Sequence, residues 1–289
     1  MLKLISMLTA PKDDKDTYLT IVGLIATLPS RDTLLRVAIP SISSQVRQLD
    51  ALVIVTDNFS MSANFVETRQ RQLPRTDVHV LSNVKAPGAA NTWNTGIEYI
   101  AAHWPKAYVA ILDDDDQWDP EHLSICEDAT RSVGSPDVVV SGLRTLIDGE
   151  EVPRDPPLSF SVEDFLTGNP GWQGSNTFIR LTTLLAAGRF TEGLKSCNDR
   201  DLAIRVLSLP DPKLAFTGRH TASWNLDTDR SSLSSRKSEA KRVGLAQFLA
   251  LHGHRMNEAI RHRFFERVDN LFGWSEEEIQ AEVGAPAHA

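Results

Sequence analysis

The stretch "YVAILDDDDQWDP", Tyr108 to Pro120, sets four carboxylates side by side at the end of an apolar run. Asp113, Asp114, Asp115 and Asp116 repel one another, and a net charge of −8 over the chain leaves them no cheap counter-charge. Tyr108 to Leu112 read as a buried strand, and Trp118 follows the acids closely. Carboxylates at a dry strand end rise in pKa unless a cation offsets the repulsion. Hard divalent cations such as Mg2+ and Mn2+ take oxygen ligands. Mg2+ commonly uses one or two carboxylates and completes its shell with water and substrate phosphates. These residue types at this spacing point to a metal–diphosphate site, against the bland alternative of a solvated acidic turn.

Two further stretches carry polar chemistry. A departing diphosphate needs cations or hydrogen-bond donors. In "GRHTASWNLDTDRSSLSS", Gly218 to Ser235, Arg219, His220, Arg230, Ser231 and Ser232 could supply them. This stretch reads as a loop, its serine-rich end as a lid that orders over a ligand, or Ser232 as a helix N-cap. In "NPGWQGSNTFIR", Asn169 to Arg180, Trp172 could offer its apolar ring face to a ligand or fill the core.

The elements that must position these groups alternate. Strands are expected at Tyr18–Leu28, Ala51–Asn58, Asp77–Asn83, Ala107–Asp116 and Asp137–Ile147. Helices are expected at Asp32–Leu49, Ser62–Leu73, Ala86–Trp104 and Pro120–Val133, with Asp32 as an N-cap. Gly149–Phe160 is proline-rich and reads as a loop. Ser161–Gly168 is a short helix, and Gly171–Phe190 runs loop, short strand, helix. Asn198–Leu209 has helical spacing, and the chain reads as helical from Ser231 onward, with a frayed tail. Strand–helix alternation implies right-handed crossovers and a mainly parallel sheet, whose ligands sit beyond the carboxyl ends of strands. Two expected strands end in aspartate there, at Asp57 and at the Asp113 run.

The 289 residues, 41% hydrophobic and 24% charged, suit one large α/β domain or two small ones. The acidic balance argues against nucleic acid and anionic membrane surfaces as partners. Cys126 and Cys197 are too few for a disulfide framework or a zinc cluster. The first residues make a poor signal peptide, and no run reaches a membrane-spanning length, so a cytoplasmic location is expected. The mixed charges of the last helices suggest packing on the rest of the chain or a homodimer contact.

The segment "LDDDDQWDPEHL", Leu112 to Leu123, resembles the Asp-x-Asp region of family 2 glycosyltransferases, which have the GT-A fold. The resemblance implies an inverting, metal-dependent, non-processive transfer of a sugar from a nucleoside-diphosphate sugar to an acceptor hydroxyl, with Mn2+ or Mg2+ as cofactor. It implies Asp115 as metal ligand, with Asp113 and Asp114 against the donor or the metal's water shell. "IATLPSR" is similar to the family's first strand and loop, which implies Thr27 and Arg31 near the nucleotide. "VIVTDN" is similar to its base-binding segment, which implies Asp57 on the base, commonly uracil; a UDP-sugar is the donor expected. Asn58 and Phe59 depart from the usual pattern there. "PGAANTWNTGI" resembles the stretch that contributes Asn94, with Trp93 where arginine is frequent. "AAGRFTEGLKSCNDRDLAIRV" resembles the segment carrying the general base, which implies Asp199 in that role, Asn198 replacing the usual glutamate, and Asp201 and Arg205 in support. The resemblance also implies Trp172, Gln173, Gly174 and Ser175 on the acceptor side and His220 as a further metal ligand.

The layout implied is a GT-A domain over residues 1–225, a mixed, mostly parallel Rossmann-like sheet flanked by helices. Its nucleotide half spans about 18–120 and its acceptor half about 121–225; a helical segment covers 226–289. Two other readings use similar parts. A sugar nucleotidyltransferase would need a glycine-rich basic loop after the first strand, which "ATLPSRDTLL" lacks. A degenerate transferase that only binds a nucleotide sugar would be consistent with Asn58 and Asn198.

Overall fold

The structure, a computed structural model, describes residues 18–28, 32–226 and 236–283. Arg31, Arg230, Ser231 and Ser232, and the serine-rich stretch read as a lid, lie outside the described residues.

Four parallel strands form one half of the sheet: β1 (Ile21–Thr27), β2 (Ala51–Asp57), β3 (Asp77–Asn83) and β4 (Tyr108–Ile111). They lie in the order β3-β2-β1-β4. Beyond β4 come β8 (Thr177–Arg180), β6 (Val138–Ile147), β9 (Leu214–Leu226) and β5 (Gln117–Trp118), with β7 (Glu150–Val152) hairpinned onto β6. β8 runs antiparallel to β4 and β6, whereas β6 and β9 are parallel. The sheet is mixed and mostly parallel, as expected.

Successive strand side chains face opposite sides, and both sides are dry. Val22, Leu24, Val53, Val55, Val109 and Ile111 enter one core. Ile21, Ile25, Leu52, Ile54, Tyr108 and Ala110 enter the other. The first core is covered by α3 (Ala89–His103), α5 (Val162–Thr167), α6 (Leu181–Ala186), α7 (Asn198–Leu207), α8 (Glu239–His252), α9 (Glu258–Phe272) and α10 (Glu276–Val283). The second lies under α1 (Ile39–Ser43) and α4 (His122–Ser132), with Phe65 of α2 (Ala63–Gln72) at its margin.

Three local expectations are corrected. The helix expected over Asp32–Leu49 is a π-turn at Leu34–Ala38 followed by the five residues of α1. Pro40 has no N–H for the carbonyl four residues back, and the Ile39 N–H reaches Leu34 instead. Asp32 pairs with Arg36 at 2.6 Å, and no side-chain cap forms at that helix. Gly218 to Leu226 is not loop but the end of the 13-residue strand β9. Register shifts opposite Val140, Gly142 and Leu143, with Gly218 at φ +63°, break the two-residue alternation by which a strand is recognised. The proline-rich stretch contributes the short strand β7.

Candidate active site

A cleft of about 660 Å3 opens at the carboxyl ends of β1, β2 and β4, where the chain leaves β1 for neighbours on both sides. Thr27, Asp57 and Asp113 to Asp115 line it from the sheet, and Gly88 to Trp93 from the start of α3. Gly193 to Lys195, Trp224, Ser238 and Ala240 line it from the second half of the chain.

The acidic tip is held from three sides. Thr27 donates its hydroxyl to Asp114 at 2.6 Å, tying β1 to the loop beyond β4. Asp116 is fully buried and accepts from the Ser175 hydroxyl at 2.5 Å and the Asn225 N–H at 3.1 Å. Ser175 in turn accepts from the Asp113 N–H, and the Asn225 amide donates to the Asp115 carbonyl at 2.8 Å. Gly174 lies so close that a side chain there would meet the Asp113 carboxylate at 3.2 Å. The run is therefore a structured loop with a division of labour. Asp116 is a buried clamp, while Asp113, Asp114 and Asp115 face the cleft.

Charge is concentrated there. Burial, then the charges of Asp116, Asp199, Asp115 and Asp114, push Asp113 well above the ordinary carboxylate value. Burial, then Asp115, raises Asp116 to about 8, against the lowering effect of its Ser175 and Asn225 bonds. The carboxylate oxygens are hard donors whose mutual repulsion a divalent cation would relieve, which fits Mg2+ or Mn2+ held by one or two of them. Among the described residues, no group of three or more histidine, cysteine or acidic side chains is arranged to hold a metal by itself. His220 does not join the tip. It lies at the register shift beside Gly142, five residues before Asn225 on β9, and is absent from the cleft lining.

Asp199 stands in the first turn of α7, and its charge is felt by Asp113. Burial raises its carboxyl to about 6, and the charge of Lys241 on α8 works against that rise. Cys197, just before the helix, adopts φ +67°, a left-handed conformation that costs a non-glycine residue energy and turns the chain into α7. Asp201 does different work. It accepts from Arg205 at 2.7 Å, Thr191 at 2.7 Å and His252 at 2.9 Å, and these bonds, overcoming burial, hold it down at about 2. It locks α7 to α8, so the C-terminal helices fix the segment that carries Asp199.

Asp57 ends β2 at the cleft and accepts from the Gly88 N–H at 2.9 Å and the Asn83 amide at 2.9 Å. Gly88 has φ +138°, which suits glycine at the turn into α3.

Other sequence candidates are elsewhere. Asn94 is 1% exposed and exchanges two hydrogen bonds with the Phe190 backbone, at 2.9 and 3.0 Å, so its amide is used in joining α3 to the turn before α7. Trp172 is a core residue at 1% exposure, its indole N–H donated to Thr177 at 2.7 Å and its ring set between Phe160 and Phe165; it offers no face to a sugar. Gln173 caps the turn Gly174–Asn176. Ser175 is fully buried and supports the acidic tip from behind. The groups missed in the sequence are Lys195, Trp224, Ser238 and Lys241, on segments whose nearness to the tip depends on the whole fold.

An acid-tipped β4 beside the parallel half of a mixed sheet, with the Asp199 charge within reach of Asp113, matches the GT-A class. The sequence matches the family described as "Glycosyl transferase family 2" over residues 30–184, more than half of its length, and the chain belongs to that family. No curated protein matches it by sequence. Among solved structures, S. aureus TarS 1-349 is similar with a TM-score of 0.60 at 14% identity, covering 87% of this chain and 72% of that one. TarS 1-349 in complex with UDP-GlcNAc gives 0.57 at 15% identity, with 90% and 74% covered. Its complex with UDP gives 0.59 at 14%, with 90% and 73% covered. At these identities the likeness shows the fold. No helix among the described residues is long and apolar enough to cross a membrane.

Proposed function

We propose that this glycosyltransferase moves a sugar from a UDP-sugar to an acceptor hydroxyl by a single inverting displacement that depends on Mn2+ or Mg2+. The observation that carries the reading is an acidic tip lining the cleft with Asp199 near enough for its charge to act on Asp113. A UDP-sugar is supported by Asp57 at the nucleotide end of the cleft and by the UDP and UDP-GlcNAc complexes of TarS.

Asp115, with Asp113 beside it, would hold the cation. When bound, that cation supplies positive charge to the nucleoside diphosphate as it leaves. Asp57 and the Gly88 turn shape the end that receives the base. Asp199 takes the proton from the acceptor hydroxyl as it attacks the anomeric carbon from the face opposite the diphosphate. A carboxyl near 6 is about nine-tenths ionised at pH 7, and it is a stronger base than an unperturbed aspartate. Arg31, Arg230 and Ser231 remain proposed donor contacts on the strength of the family resemblance.

The test is UDP release from a panel of UDP-sugars with Mn2+, with EDTA as control. Metal-dependent release, abolished in Asp115→Asn and cut at least a hundredfold in Asp199→Asn, supports the reading. Release unaffected by EDTA and by both substitutions removes it.

A further inference from the structure

The chain is acidic, yet four cations act on one another in a series that begins with Lys241 beside Asp199. Lys241 feels the charges of Cys197, Arg200, Asp199 and Arg267. Arg200 feels Arg267, and Arg267 feels Arg154. Two of the four are structural. Arg200 is 8% exposed, donates to the Phe165 and Leu166 carbonyls at 2.8 to 3.1 Å, and lies over the Phe248 ring. Lys241 donates to the Ser196 hydroxyl at 3.0 Å and sits over the Phe272 ring.

Arg154 and Arg267 are exposed and different. Among the described residues neither forms an ion pair or a hydrogen bond, and the acids of neighbouring α5 are used elsewhere. Glu163 pairs with Arg263, and Asp164 closes the capping box with Ser161. Both guanidinium groups lie against one turn. A side chain at Gly168 would meet Arg267 Nε at 2.5 Å, and one at Gly171 would meet an Arg154 terminal nitrogen at 3.3 Å. That turn leads through Gln173 directly into Gly174, which backs the Asp113 carboxylate. Neither arginine lines the nucleotide cleft. The turn they flank runs on to the Gly174 that abuts Asp113, and Arg267 also acts on Lys241, whose charge reaches Asp199.

Among the described residues these two like charges have no counter-ion, an arrangement that favours a bound anion, and guanidinium forks match the paired oxygens of phosphate and carboxylate. We propose that Arg154 and Arg267 form an oxyanion subsite for the acceptor, so that the hydroxyl presented to Asp199 belongs to a molecule carrying a phosphate or carboxylate group. This rests on the glycosyl-transfer reading above, which supplies the acceptor side.

The test is calorimetric titration of the protein, saturated with UDP and Mn2+ to fill the nucleotide cleft, with glycerol 3-phosphate, glycerate and glycerol. The wild type should bind at least one of the two anions about tenfold or more tightly than glycerol. The anion preferred tells phosphate from carboxylate. The double variant Arg154→Gln/Arg267→Gln should lose that preference while its melting temperature stays within about two degrees and its UDP affinity within about twofold. Equal affinity for all three compounds, or a preference that survives in the double variant, overturns the proposal. If the wild type fails to bind UDP, the transfer reading itself fails, and the same titration on the free protein still decides whether the arginines hold an anion.

Discussion

Replacing Asp199 by asparagine should harm turnover and help folding at once. The carboxyl sits at about 6 against an ordinary value of 3.8, with burial as the main cause. The fold therefore disfavours the ionised form. The cost is absent below the unfolded value, near pH 4, and fully present above the folded value. Raising the carboxyl by that amount corresponds to a ceiling of about 3 kcal/mol at pH 8. Asparagine keeps the shape and removes the charge, so the variant should be more stable than wild type at pH 8 by up to that amount and equal to it near pH 4. Removing the Asp199 charge also removes one cause of the high Asp113 value. Loss of a general base should lower kcat by about 10²–10⁴, with UDP affinity retained. Urea unfolding at the two pH values and steady-state rates with a UDP-sugar are the assays. Equal stability at pH 8 together with turnover within tenfold of wild type would refute the placement of a strained carboxylate at the reacting hydroxyl.

Lys241→Met removes a charge that lowers the Asp199 carboxyl, so the acid limb of kcat/KM, set near pH 6 in the wild type, should move to higher pH; an unmoved limb contradicts the pairing. Gly244 packs on the backbone of Ser196 so closely that a methyl group cannot fit, and Gly244→Ala should cost about 1–3 kcal/mol in denaturant unfolding and displace the Asp199 segment, with a fall in kcat. Trp172→Phe should lower stability by about 1–3 kcal/mol through the lost Thr177 bond and lost volume, while the KM for acceptor stays unchanged. A raised acceptor KM at unchanged stability would return Trp172 to the acceptor site.

The alternation of β1 to β4 with α2 and α3 was legible because their apolar periods are regular and their turns are marked by glycine, proline and serine caps. The acidic tip was legible because four adjacent carboxylates have no role in a core. Its division into a clamp and a cleft-facing set was not, since Asp116 differs from its neighbours only through Ser175 and Asn225, 59 and 109 positions away. Asn94 and Trp172 look alike as site or scaffold in one dimension, because an amide and an indole serve both purposes. β9 was hidden by its polar residues and register shifts. Lys241, Arg154 and Arg267 carry no motif; only packing brings Lys241 to Asp199 and the two arginines to the turn before Gly174.

The central claim is that the tip beyond β4 holds a nucleoside diphosphate through a divalent cation. Titrating UDP into the protein with Mn2+ and with EDTA, in wild type and Asp115→Asn, tests it most directly. Binding that needs Mn2+ and weakens at least tenfold in the variant is the result predicted. Binding that is indifferent to the metal and to Asp115 would contradict it.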